Sequence, residues 1–136
     1  MSVVTSQPLQ AAIYARLSQD AALAAIVGAD IFDAPPAGPL PGIFVLIGEE
    51  VVRDVSDGSA RASEHDLTIS VQTDAAGFAA AKQAAAAIVD ALDGAALTLS
   101  RGRLIDIRFH SARSLRDAGA GARRTEVRFR ARVEDN

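Results

Sequence analysis

The chain has no cysteine, one lysine, two histidines and few aromatic residues. Without cysteine there are no disulfides, no thiolate nucleophile and no cysteine-based metal site, and an intracellular origin is suggested. The opening MSVVTSQPLQ lacks the basic and apolar regions of a signal peptide. No apolar run approaches the roughly 20 residues that a membrane-spanning helix needs. There is no internal repeat and no low-complexity tail. What the chain does have is alanine and arginine in abundance, with Lys82 as its only lysine, a bias that reads as the imprint of a GC-rich genome. At 136 residues, with 49% apolar and 23% charged residues, it is expected to form one soluble globular domain over residues 1–136.

The net charge of −3 conceals a division. Residues 1–100 contain four basic residues (Arg16, Arg53, Arg61, Lys82) against twelve acids, a balance of −8; residues 101–136 contain ten arginines against five acids, a balance of +5. One reading is strands carrying solvated arginines. The other is a subunit that docks head-to-tail on copies of itself, positive face to negative face. A nucleic-acid binder fits less well, because the whole chain is acidic and carries no binding motif.

The stretch from Glu64 to Gly94 organises the rest. Leu67, Ile69 and Val71 alternate with Asp66, Thr68, Ser70 and Gln72, the period of a half-buried strand. Asp74 stands where a helix N-cap is expected. Phe78, Ala81, Ala85, Ile88, Val89 and Leu92 follow at helical spacing, and Gly94 takes the place of a C′ glycine. Ahead of this unit, Ser6 as cap and Pro8 in the first turn predict a helix start, with Leu9, Ile13 and Leu17 at helical spacing to about Ser18. Asp20 predicts the cap of a short second helix ended by Gly28. Ile31-Phe32 reads as a short strand, and Pro35 to Pro41 as a stiff connector.

Ile43 to about Val55 reads as one long strand bulged at Gly48, returning through a polar, mobile loop into the Glu64 strand as an antiparallel pair. Beyond the central helix, Ala96–Leu99 predicts a short strand. Leu104–His110 predicts another, with Ile105, Ile107 and Phe109 inward and Asp106, Arg108 and His110 outward. A glycine-rich loop over 116–122 leads into the last strand. There Thr125, Val127, Phe129, Ala131 and Val133 face one way, and Arg124, Glu126, Arg128, Arg130 and Arg132 the other. Burying unpaired arginines is too costly for that second face to be a packed core. The class is therefore α+β, a mainly antiparallel sheet of four or five strands, with one face covered by the long central helix and the N-terminal helices.

Chemistry is sparse. His65 and His110 lie on strands without metal-ligand spacing, and His65 and Asp66, as strand neighbours, point to opposite faces. Glu49-Glu50 reads as one solvated acid and one beside a bulge. The Gly119-Ala120-Gly121 loop lacks the lysine and following helix of a phosphate loop. No catalytic, cofactor-binding or metal-binding residue is assigned, and no cofactor is expected.

The order of segments carries more. IFDAPP followed by PLPGIFVLIGEE, then EHDLTISVQT with its closing DALDG, then SLRD and RRTEVRFRARVE, resembles the tail terminator (tail completion) proteins of long-tailed phages and phage-derived gene transfer agents, from Leu9 to Glu134. The resemblance implies a structural virion protein and no enzyme. It implies a ring, usually a hexamer, that caps the tail tube, ends its polymerisation and receives the head-completion (stopper) protein. Its partners would be copies of itself, the tube protein and the stopper. DNA would pass through the lumen without specific binding, and no membrane would be involved. Its place would be the head–tail junction of the virion, after assembly in the bacterial cytoplasm. Arg53, Arg61, Arg116, Arg123, Arg124, Arg128, Arg130 and Arg132 are the candidate interaction residues, contributing to subunit contacts or to the ring's polar surface. The loops near 53–63 and 113–122 would order against tube or stopper. The alternatives are a neighbouring connector or minor tail protein, which would bind a different tail surface, and a small soluble enzyme, which would need a deep pocket with clustered polar residues.

Overall fold

Alternating apolar residues in four long strands require one buried sheet face, and the sheet has one. The computed structural model describes residues 2–116 and 122–135; the central part of the glycine-rich loop expected at 116–122 lies outside the described residues. A 3₁₀ turn (Ser2–Thr5) leads into α1 (Ser6–Ser18) and α2 (Ala21–Val27). Then come β1 (Ile31–Phe32), β2 (Ile43–Asp54), β3 (Ala62–Thr73), α3 (Ala79–Leu92), β4 (Arg103–Arg116) and β5 (Arg123–Glu134). The sheet order is β1-β2-β3-β5-β4, with β1 parallel to β2 and every other pair antiparallel. This is the expected α+β architecture.

The inner face is a continuous apolar layer. Val45, Ile69, Val71, Ile107, Val127, Ala131 and Val133 are fully buried, beneath Ala81, Ala84, Ile88 and Leu92 of α3 and Leu9, Ile13 and Leu17 of the N-terminal helices. The small alanines of α3 let its backbone lie close to the sheet. Burial of each large apolar side chain is worth about 1.5–3 kcal/mol, against about 1 kcal/mol for a helix cap. Packing therefore places α1 and α3, and both do without a side-chain cap bond.

That balance explains two corrections. Asp74 is not the N-cap of α3: its backbone N–H still donates to Gly42 O, prolonging the β2–β3 pairing, and the helix begins only after Phe78. Ser6 does not cap α1; Thr5 holds that position, and the Ser6 hydroxyl donates instead to Glu50 Oε1 at 2.7 Å. Asp20 does cap α2, accepting from Leu23 N at 2.9 Å.

Three further expectations change. Ala96–Leu99 is irregular rather than a strand, though Leu97 and Leu99 still pack on the core. In β4, register shifts between Leu104 and Asp106 and between Phe109 and Ser111 break the simple alternation. Ile107 is buried as expected, but Ile105 and Phe109 are 40% and 42% exposed. The loop expected near 53–63 is shorter, since β2 runs to Asp54 and β3 starts at Ala62. Its turn is held locally, with Asp57 Oδ1 accepting from Ser59 N at 2.8 Å and Ala60 N at 3.0 Å. Likewise residues 113–116 belong to β4.

Two positive-φ glycines flank the segment before β4, and they differ in what surrounds them. Gly94 (φ +71) ends α3 as expected, and an added Cβ would meet only the flexible end of Arg108, at 3.0 Å. Gly102 (φ +83) is wedged: a Cβ there would lie 2.9 Å from Thr5 Cγ2, 3.0 Å from Glu134 O and 3.1 Å from Val133 Cγ1. Gly94→Ala is expected to cost about 1 kcal/mol, the left-handed penalty alone, and Gly102→Ala about 2 kcal/mol or more. Chemical denaturation of the two variants checks the order; equal losses would remove the steric account.

Candidate functional site

Register places the arginines. Glu64 and Asp66 of β3 stand opposite Arg53 and Val51 of β2 and opposite Arg132 and Arg130 of β5 on the open face. Arg53 binds Glu64 through Nη2 and Asp66 through Nη1 at 3.1 Å. Arg130 Nε lies 2.8 Å from Asp66 and 3.6 Å from Glu64. The Arg130 guanidinium, and after it Arg53, holds the Asp66 carboxyl below its ordinary range against the opposing effect of burial. Cross-strand ion pairs of this kind tie three strands together, each contributing modestly because it is solvated. Further along, Glu126 receives Arg124 at 3.0 Å and Arg113 at 2.7 Å. Arg128 and Arg132 have no carboxylate within 4 Å among the described residues. So much of the positive face is neutralised internally, and Arg128 and Arg132 carry its surplus.

The structure brings together only part of the predicted set. Arg53, Arg124, Arg128, Arg130 and Arg132 share the open face. Arg61 lies in the β2–β3 turn, where its backbone carbonyl accepts from Asp135 N at 2.9 Å. Arg123 stands in phase with the buried residues: it donates to Ala75 O at 3.0 Å, with its guanidinium 5.5 Å from the centre of the Phe78 ring. Arg116 pairs with Arg123 at the far end of β4.

Sequence reasoning missed a buried polar cluster. The bulge between Ile47 and Glu50 shifts the phase of β2, so that Glu50 pairs with Leu67 and turns toward the helices. There its Oε2 accepts from His65 Nδ1 at 2.9 Å. His65 Nε2 lies 2.9 Å from Ser63 Oγ and 3.2 Å from Thr5 Oγ1. With Nδ1–H donating to the carboxylate, Nε2 can accept a hydroxyl proton, so both ring nitrogens have partners. The chain Ser63–His65–Glu50 has the connectivity of a nucleophile, base and acid. Yet His65 is 0% and Ser63 4% exposed, and the adjoining cavity is about 20 Å³, room for about one water. The cluster is a clasp holding the N-terminal turn to the sheet. The serine and histidine two residues apart were visible in the sequence; Glu50, fifteen residues away and turned by a bulge, was not.

Open troughs mark the surface of the described residues. Two of about 420 Å³ each lie at opposite edges of the sheet: one between α3 and β4 (Val89, Phe109, Ala112) and one between α1 and β1 (Tyr14, Ile31, Phe32). No group of three or more His, Asp or Glu side chains suited to a metal ion occurs among the described residues. No helix among them is long and apolar enough to cross a membrane.

The sheet thus has one packed face, one ion-paired face and troughs at both edges. The sequence profile of the tail completion protein gp17 family matches residues 11–134, and the chain belongs to that family. It is thus a structural tail protein. Among solved structures it is similar to a chain from the virion of a native gene transfer agent particle, at 53% identity and a TM-score of 0.93, over 98% of this chain and 99% of that one. Among curated proteins there is no match.

Proposed function

We propose that this protein is a tail terminator: a non-enzymatic subunit that forms a ring, six-fold in our reading, on the end of the tail tube. The ring stops tube polymerisation and joins the tail to the head-completion protein, with DNA passing through the lumen. The observation that carries this reading is the end-to-end match, at 53% identity, to a chain of a gene transfer agent virion, together with the tail completion profile. The surplus arginines of the open face, Arg128 and Arg132, form the polar surface that meets an acidic patch of tube or stopper. The head–tail junction is the place where both partners meet.

Electron microscopy of particles produced without this protein tests the proposal. Unattached tails of irregular length beside filled heads are expected. Normal tailed particles would remove the terminator reading. Heads that leak DNA beside tails of uniform length would move the protein to the head-completion side of the joint.

A further inference from the structure

We infer that copies of this chain join edge to edge, the β4 edge of one subunit seating on the α1–β1 edge of the next. This rests on the ring reading and says which surfaces close the ring. A closed ring needs two different patches on each subunit, placed so that both engage at once. The sheet order puts β4 and β1 at opposite ends of five strands, about 20 Å apart at roughly 4.8 Å per strand.

The two edges complement each other. At the first, β4 is a fourteen-residue strand with no further strand on its outer side among the described residues. Gly94 N donates to Ile107 O at 2.7 Å and Phe109 N donates to Asp93 Oδ1 at 2.9 Å, so this stretch of its backbone is already engaged and side chains are what it offers. Its two register shifts leave Ile105 and Phe109 about two-fifths exposed, and Phe109 borders a trough flanked by Lys82 and Arg113. Arg113 is engaged with Glu126 at 2.7 Å; Lys82 lies 5.7 Å from the centre of the Phe78 ring and has no carboxylate within 4 Å among the described residues. At the second edge, Tyr14 is 45% exposed beside Phe32, and the trough is lined by Asp33, Gln7 and Gln10 with no cation. Among the described residues, Asp33 is held by a single 3.4 Å bond from Gln10. Apolar surface faces apolar surface, and cations face an acid.

The occupant is a second copy because the same division runs through the whole chain. The half with balance +5 builds β4 and β5; the half with balance −8 builds β1, β2, β3 and the helices, including α3, whose Lys82 adds a cation at the β4 edge. A partner of one charge sign would suit one edge and be repelled by the other. The contact is side-chain docking rather than a continuous sheet, since bulges and charges along an edge strand oppose open-ended strand pairing.

The absence of cysteine makes the test clean. Particles carrying Asp33→Cys and Arg113→Cys in the same chain, treated with a short bismaleimide, are expected to give a ladder of cross-linked copies, and either single variant none. A dimer from a single variant would indicate a two-fold contact and overturn the inference. Copy number per particle, by quantitative mass spectrometry, separates the two levels. One copy per particle would sink the ring reading itself; several copies without a ladder would sink only the edge assignment. Charge exchange gives a second readout. Asp33→Lys and Lys82→Glu should each lower the yield of tail-joined particles tenfold or more, and the two together should restore it. Normal yield from the singles, or no recovery in the double, counts against the contact.

Discussion

Replacing His65 with alanine is expected to remove about 3 kcal/mol of stability, from the partners left buried and the cavity left behind. Thr5 and Ser63 lose the acceptor between their hydroxyls, and Glu50 loses the donor on its inner side. Set against a typical total of about 5–15 kcal/mol, that is a large fraction. The loss should begin at the N-terminus, because the cluster ties the 3₁₀ turn and, through Ser6, the start of α1 to β2 and β3. Denaturant titration reads the total, and amide hydrogen exchange across residues 2–18 reads the place. An unchanged midpoint would mean that the clasp holds nothing. The same cluster sets a pH dependence. The bond from His65, then that from the Ser6 hydroxyl, holds the Glu50 carboxyl below its ordinary value of 4.5, against the opposing effect of burial. Its contribution is complete above the unfolded value and is lost as pH falls through the lower folded one. Glu50→Gln should therefore cost some stability at neutral pH and flatten the acid limb. A residual acid slope should remain, since Asp66 is lowered in the same direction by Arg130. An acid limb as steep as in the unaltered protein would remove Glu50 from the account.

The sequence disclosed most where a local pattern and the tertiary fold agree. The alternation in β3 and β5 placed Leu67, Ile69, Val71, Thr125, Val127, Phe129, Ala131 and Val133 on the inner face, because both strands are central and flanked on both sides. It did not announce that His65 is buried with them or that Ser70, in the polar set, is buried too. The Asp20 cap was legible because it is satisfied by Leu23 N, three residues on, and the Gly94 stop because the helix end needs a positive φ there, although its N–H donates to the distant Ile107 O. Legibility failed at the edges. In β4 two bulges add residues that no periodicity announces, so Ile105 and Phe109 share the apolar spacing of Ile107 without sharing its burial. It failed again where a polar side chain has a better distant partner than its local one. Ser6 has the spacing of a cap and bonds Glu50 in another strand. The arginine face was visible as a stripe, but its ion pairs depend on which strand lies beside β5. That β3 supplies Glu64 and Asp66 is a consequence of sheet order, so the separation of engaged Arg130 from surplus Arg128 came only with the register.

That separation turns one surface into two experiments. Arg128→Glu is expected to leave stability within about 0.5 kcal/mol, as for exposed positions without a partner. It should still weaken joining to an acidic tail or head partner roughly tenfold for each contact that loses about 1.4 kcal/mol. In the proposed ring the loss repeats at each subunit, so tail-joined particles should become rare while the purified protein melts normally. Arg130→Glu differs, because it sets a third carboxylate beside Asp66 and Glu64 and leaves Arg53 as the one cation within 4 Å of them among the described residues. It should lower the melting temperature as well as joining. Pairing it with Asp66→Arg, which moves the cation one strand across, should restore the melting temperature without restoring joining, if what the partner reads is the position of positive charge on β5. Thermal melts and counts of joined particles on the same three variants distinguish the outcomes. Normal joining with Arg128→Glu would take the open face out of the contact surface and leave the sheet edges as the place where this subunit meets its neighbours. Lost joining at an unchanged melting temperature would make the open face a docking surface in its own right, with the ion pairs of Arg53 and Arg130 tying together the strands beneath it.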